Sequence, residues 1–290
     1  MTYSRYLFLF LLSVVTLCSF GQKNLFLEGQ LGYNNVPAGN AFLNDIWGYT
    51  APDSGEYALV GLTDAFSVVH IDSTNPKELF RIPGPVCVWR DIKVWQNHAY
   101  VVHEAFFDSA STSSGLLICD LNYLPDSMPY SSWYGPNNEY WASHNIFIDE
   151  KGYAYLFGKA DTSGHSTLIL DLADPKNPVI KGNYTDYYVH DGFVRGDTLW
   201  ASEVYEGVLR ALDVSDKQNI TSYGSVETPN KFCHNVWLSD DNKYAFTTDE
   251  RRGAFVGAYD VTDPSDMEFL DKYQPDYGDS VVPHNTFYID

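Results

Sequence analysis

Cys233-His234-Asn235-Val236-Trp237-Leu238 is one of six related stretches in this chain. The others are Asn44-Asp45-Ile46-Trp47-Gly48, Arg90-Asp91-Ile92-Lys93-Val94, His144-Asn145-Ile146-Phe147-Ile148, His190-Asp191-Gly192-Phe193-Val194 and His284-Asn285-Thr286-Phe287-Tyr288. Each sets a His, Arg or Asn before an Asp or Asn and continues into small, β-branched or aromatic residues. Measured at the Asp or Asn, the steps are 46, 54, 46, 44 and 50 residues. A self-similarity period of this length is the signature of propeller blades and related repeat arrays.

Working outward from the motif, every unit repeats the same grammar. A turn such as Asp149-Glu150-Lys151-Gly152 or Ser239-Asp240-Asp241-Asn242 leads to a second strand, as in Ala99-Tyr100-Val101-Val102 and Tyr153-Ala154-Tyr155-Leu156. A third strand ends in Asp, at Asp72, Asp120, Asp171, Asp213 and Asp260. These five read as turn caps by the Asx-turn mechanism. A turn of the type Asp174-Pro175-Lys176-Asn177-Pro178 follows, and a strand such as Val179–Tyr184 closes the unit. Four short β-branched and aromatic strands per unit predict an all-β chain, a β-propeller of four-stranded blades. No window keeps a 3.6-residue period long enough for solenoid helices.

The repeated blocks also resemble a known family. Val68-Val69-His70-Ile71-Asp72 and Leu168-Ile169-Leu170-Asp171, with their Asp-Pro-x-Asn-Pro turns, look like LVIVD repeats. The order Asn44–Tyr49, Glu56–Leu62, Trp89–Val94 is similar to the bacterial choice-of-anchor B proteins. The likeness runs from about Asn44 to the end of the chain. It implies a secreted or surface protein and attaches no reaction. Propellers of this kind close with six or seven blades, and the last repeat stops at Asp290 after its first strand. The chain therefore reads as a propeller cut after about five blades.

Residues 1–21 read as a signal peptide, with Arg5, an apolar run from Leu7 to Leu17 and a cleavage site at Ser19-Phe20-Gly21. Cys18 raises the rival reading of a lipoprotein, against which the large Leu17 speaks. Residues 22–43 read as a strand, Leu25–Leu31, plus a polar linker; that strand is the expected partner for closing the last blade. The propeller then covers 44–290, and the mature chain is expected to carry no transmembrane helix. Cys87, Cys119 and Cys233 are odd in number and widely spaced, so no disulfide framework and no Cys-rich zinc site follow.

Composition bounds the function. With 44% hydrophobic and 16% aromatic residues, 290 residues can bury a large core. The balance of 38 acidic and 18 basic residues, a net charge of −20, speaks against nucleic acid and anionic membranes as partners.

Antiparallel pairing brings the start of each first strand and the end of each second strand to one mouth of the channel. That predicts a constellation of Arg90, Asp91, His103, Glu104, Asn145, Asp191, Glu203, Asn235, Asp249, Glu250 and Asn285 as a ligand site. His144, His190, His234 and His284 join it as candidate ligands of a divalent transition metal, backed by carboxylates. The competing reading makes the same His and Asp/Asn residues struts that satisfy backbone groups between blades. Trp47, Trp89, Trp133, Trp141 and Trp237 either stack a sugar or pack between sheets. Cys233 reads as a buried apolar residue before a nucleophile. No Gly-x-Ser-x-Gly elbow supports a serine hydrolase at Ser143 or Ser202. Two functions remain: a binding or adhesion module for an extracellular protein, peptide or glycan, and a metal-dependent enzyme of oxygenase or hydrolase type using the His cluster.

Overall fold

The computed structural model describes residues 27, 29–33, 43–71, 75–105, 115–161, 164–276 and 278–289. They form five four-stranded antiparallel sheets, each built from four strands consecutive in sequence. Blade one holds β1 (Leu43–Thr50), β2 (Glu56–Leu62), β3 (Ala65–His70) and β4 (Lys77–Pro83). Blade two holds β5 (Ile92–Trp95), β6 (His98–Val101), β7 (Leu116–Asp120) and β8 (Tyr130–Trp133). Blade three holds β9 (Asn145–Ile148), β10 (Tyr153–Asp161), β11 (Gly164–Asp171) and β12 (Val179–Tyr184). Blade four holds β13 (Asp191–Arg195), β14 (Thr198–Glu203), β15 (Val208–Asp213) and β16 (Thr221–Glu227). Blade five holds β17 (Cys233–Leu238), β18 (Tyr244–Asp249), β19 (Val256–Asp260) and β20 (Glu268–Tyr273). The first strands touch one another in order, β1 to β5 to β9 to β13 to β17, so they line the axis. This is the expected propeller.

Period-two alternation explains the packing. In β6, Ala99 and Val101 face blade one, where they meet Leu59, Phe66 and Val68, while Tyr100 between them faces Ile146, Leu156 and Leu168 of blade three. Each inner blade thus shares its two faces with two neighbours, and neither face is wet. Cys119 and Cys233 are wholly buried in two of these interblade layers, which is the apolar role expected of Cys233. Burial pushes both thiols well above their ordinary range.

The turn caps are also as expected. Asp120, Asp171, Asp213 and Asp260 each accept the backbone N–H two residues on, at 2.9 to 3.1 Å. Asp72 lies outside the described residues. In blades one, three, four and five the register between third and fourth strands slips by one residue, a bulge that strengthens the twist of the outer edge. The fourth strands are tight against the following blade: a methyl group at Gly182 would sit 1.7 Å from the carbonyl oxygen of Lys217.

The two ends differ from expectation. Among the described residues of Leu25–Leu31 none is in a strand; Leu31 and Tyr33 instead lie on the outer face of blade one, against Val60, Leu62, Ala65 and Val69. Tyr33 is fixed there by a hydrogen bond to Ser67 at 3.0 Å and by Arg81 over its ring. His284–Ile289 has no ladder partner, yet it runs beside β17 where a sixth inner strand belongs. Thr286 donates its N–H to Asn235, and Phe287 packs its ring 4.9 Å from Trp237. The expected signal segment, residues 1–21, and residues 106–114 lie outside the described residues. Among the described residues no helix is long and apolar enough to cross a membrane.

Candidate ligand site at the channel mouth

The first- and second-strand register sets the mouth as predicted: Asn145 pairs with Phe157, Asp191 with Ser202 and Cys233 with Asp249. The Asp/Asn position then builds a ring. Asp45 accepts the N–H of Ile92, Asp91 that of Ile146 and Asn235 that of Thr286, at 2.9 to 3.0 Å. Asp191 closes another link by accepting from the Asn235 amide at 2.9 Å. An acceptor at the start of a first strand, or just before it, reaches the first strand of the next blade, so the repeat explains these bonds. They are the struts of the competing reading.

Above the ring, the four histidines form a staircase. Ring centroids of His144, His190, His234 and His284 succeed one another at 4.2, 4.3 and 4.2 Å. His190 Nδ1 lies 3.1 Å from the carbonyl oxygen of His234, and His234 Nδ1 lies 2.9 Å from that of His284. A carbonyl only accepts, so each Nδ1 carries the proton, and a neutral ring keeps its lone pair on Nε2. His144 differs: its Nδ1 sits 3.0 Å from the Glu104 carboxylate. Backbone carbonyls, rather than the expected carboxylates, therefore orient the two middle rings. A second carboxylate, Glu250, stands 3.5 Å from His234 Nε2 and 3.7 Å from His284 Nε2.

Burial decides the charge states. His234 is pushed down to about 3 by burial, with the nearby His284 adding to the effect. His190 is lowered well below its ordinary value by burial, then by His144 and His234. In the ring beneath, burial together with the Asp91 charge lifts Asp45 to about 8. Burial likewise raises Asp191 to about 6. Lys93 projects into this ring and bonds Asp91 at 3.0 Å, with its ammonium 4.5 Å above the Trp47 ring. Burial works against that ammonium, but Asp91 and Asp45 outweigh it and hold it above its ordinary value.

The mouth proper is a cavity of about 150 Å³ lined by Asn44, Asp45, Trp89, Asp91, His144, Asn145, His190, Asp191, His234, His284 and Asn285. Asp91, Asn145, Asp191, Asn235, Asn285 and the four histidines thus gather around the axis, with Glu104 and Glu250 at the two ends of the staircase. Four expected residues do not join them. Arg90 occupies the His position of its repeat, but its guanidinium turns into the protein and donates to the carbonyls of Leu62 and Pro85, because one ring nitrogen could not satisfy both acceptors. His103 is buried with Nε2 unpartnered, and burial together with Arg90 lowers it to about 4. Glu203 is wholly buried and accepts from Arg210 at 2.8 Å. Asp249 is wholly buried and caps the loop before β17 by accepting from the N–H groups of Asn230 and Phe232.

Sequence reasoning missed two participants, Tyr188 and Lys93, and left Trp89 open between sugar stacking and packing. With Arg90 turned away, the indole of Trp89 takes the vacant step of the staircase, 6.0 Å from His144 and half exposed. Tyr188 approaches His190 at 6.3 Å and stacks on the exposed Tyr205 at 5.0 Å. Lys93 follows a strut by two residues, so strand alternation alone put it in the channel. At the opposite mouth Phe147, Phe193, Trp237 and Phe287 form a collar of tilted and edge-on rings at 4.8 to 4.9 Å, so Trp237 packs inside the channel.

No protein-family model and no curated protein matches this chain. Solved structures do. Three that it is similar to are a functionally unknown protein from Desulfotomaculum acetoxidans, the periplasmic gluconolactonase of Pseudomonas aeruginosa and the Cps50 β-propeller domain of Myceliophteria thermophila. Identities are 12%, 12% and 9%, and TM-scores 0.60, 0.57 and 0.52. The matches cover 81%, 80% and 83% of this chain and 71%, 68% and 74% of the others. At such identities they show the fold, a β-propeller, and nothing finer.

Proposed function

We propose that this chain is a secreted or surface propeller of the LVIVD-repeat type that binds a neutral glycan at its channel mouth. The observation that carries this reading is Trp89. Its indole is 48% exposed on the rim of a cavity otherwise lined by imidazole, Asn and Asp side chains. A flat aromatic face stacks on the C–H face of a sugar, and short polar groups below it read hydroxyls. Tyr205, 72% exposed on the blade-four side, supplies a second such face. A net charge of −20 favours neutral sugars over anionic polymers. Binding of a panel of neutral oligosaccharides, followed by titration of the best one, tests the reading. Trp89→Ala should weaken that titration by about tenfold. Absence of any saccharide binding by the wild-type chain overturns it.

A second reading, a metal-dependent hydrolase, is favoured by the Nε2 lone pairs that His190 and His234 turn away from their carbonyl partners. The name of the Pseudomonas neighbour makes a gluconolactone the first substrate to try. Accelerated lactone opening in the presence of zinc, abolished by chelation, supports this reading. Equal rates with and without the protein remove it.

A further inference from the structure

We propose that a divalent transition metal binds between blades four and five, held by Nε2 of His190, Nε2 of His234 and a carboxylate oxygen of Glu250. Three observations carry this. One ligand atom from each of these residues lies within 4.8 Å of the other two. A tetrahedral ion with bonds of about 2.1 Å spaces its ligands about 3.4 Å apart, so the His234–Glu250 separation of 3.5 Å already fits and the remaining gap closes with a small inward shift. Second, the Nδ1 protons of both rings are committed to backbone carbonyls of the next blade, the outer-shell arrangement that fixes an imidazole as a metal ligand.

The third observation is a mismatch that a cation removes. The His234 side chain is only 4% exposed, and its Nε2 lone pair faces a Glu250 oxygen at 3.5 Å. Two acceptors at that distance repel one another unless a proton or a metal lies between them. His284 is different: at 60% exposure its Nε2 can carry a proton toward Glu250. Interblade support alone would need the two Nδ1 bonds and would give Glu250 no reason to turn toward the rings. Two imidazoles and one carboxylate select a borderline ion such as zinc, cobalt or copper over calcium or magnesium. Three protein ligands leave a fourth position open toward the cavity.

The test uses the full chain, stripped with a chelator and titrated with zinc by calorimetry and with cobalt by visible absorption. One equivalent should bind, and cobalt should show the intense bands of a four-coordinate site. Glu250→Gln keeps the shape of the side chain, removes none of the interblade bonds and should weaken zinc binding by at least about tenfold. His234→Ala should weaken it as much or more, with a melting curve to separate lost binding from lost folding. His70→Ala, on the third strand of blade one and away from the mouth, should bind as the wild type does. Failure to take up a stoichiometric metal overturns the proposal, and so does an unchanged affinity in Glu250→Gln. The titrations contain no saccharide, so they stand or fall separately from the glycan reading.

Discussion

Asp45 is an acid at a position where three other repeats carry Asn, as Asn145, Asn235 and Asn285. Its carboxyl is held to about 8 by burial and by the adjacent Asp91. In the folded chain it keeps its proton across a range in which the unfolded chain has lost it, from about pH 4 to about pH 8. Folding is therefore favoured below that window and weakened as pH rises through it. Asp45→Asn preserves the acceptor for the Ile92 N–H and removes the titration. Denaturant unfolding at pH 5 and pH 8 should show the variant close to wild type at the lower pH and more stable by about 1–3 kcal/mol at the higher one. Parallel pH profiles would count against the assignment. At this scale the sequence was legible wherever backbone position decided the outcome: the histidines and the strut residues sit where the repeat put them. Arg90 was misread because a repeat aligns Cα atoms and says nothing about which way a long side chain turns. Its guanidinium found carbonyl acceptors between blades, and Trp89, one position off the motif, inherited the rim.

At the scale of the element, the fourth strand sets how closely blades nest. β12 carries Gly182 against the Lys217 carbonyl, and β16 carries Gly224 against the carbonyls of Pro264 and Ser265 at 3.2 Å. In both places the Asp-led turn of the following blade presses on the outer strand. A methyl at Gly182 meets backbone, which cannot swing aside as a side chain would. Gly182→Ala should thus cost about 1–3 kcal/mol, read as a fall in melting temperature, with Gly224→Ala costing less because its contact is looser. Strand alternation, Asx caps and Pro-Asn turns made these elements readable in advance. The placement of Leu31 was not readable, since an alternating apolar run fits a ladder or a covering segment equally well, and only the open face of blade one distinguishes them.

Across the whole molecule, 38 acidic residues stand against 18 basic ones, a formal net charge of −20. Self-repulsion of this size weakens the compact state at low ionic strength. The melting temperature should rise as sodium chloride goes from near zero to about 0.3 M, where the screening length falls below the spacing of most surface charges. A flat response would show that the acidic residues are too dispersed to repel.

The struts also have a direction. In five of the links the side chain belongs to the earlier blade and the backbone group to the later one: Asp45 takes Ile92, Asp91 takes Ile146, Asn235 takes Thr286, His190 holds His234 and His234 holds His284. A blade that has already formed presents the hooks, and the blade that follows needs only its main chain in order to catch. Synthesis delivers the blades in that same order, so growth from the N-terminal side meets a prepared template at every step. A circular permutant that begins within blade four would have to start from the unhooked side, and pulse-labelling hydrogen exchange during refolding would reveal the reversal as late protection of blade one.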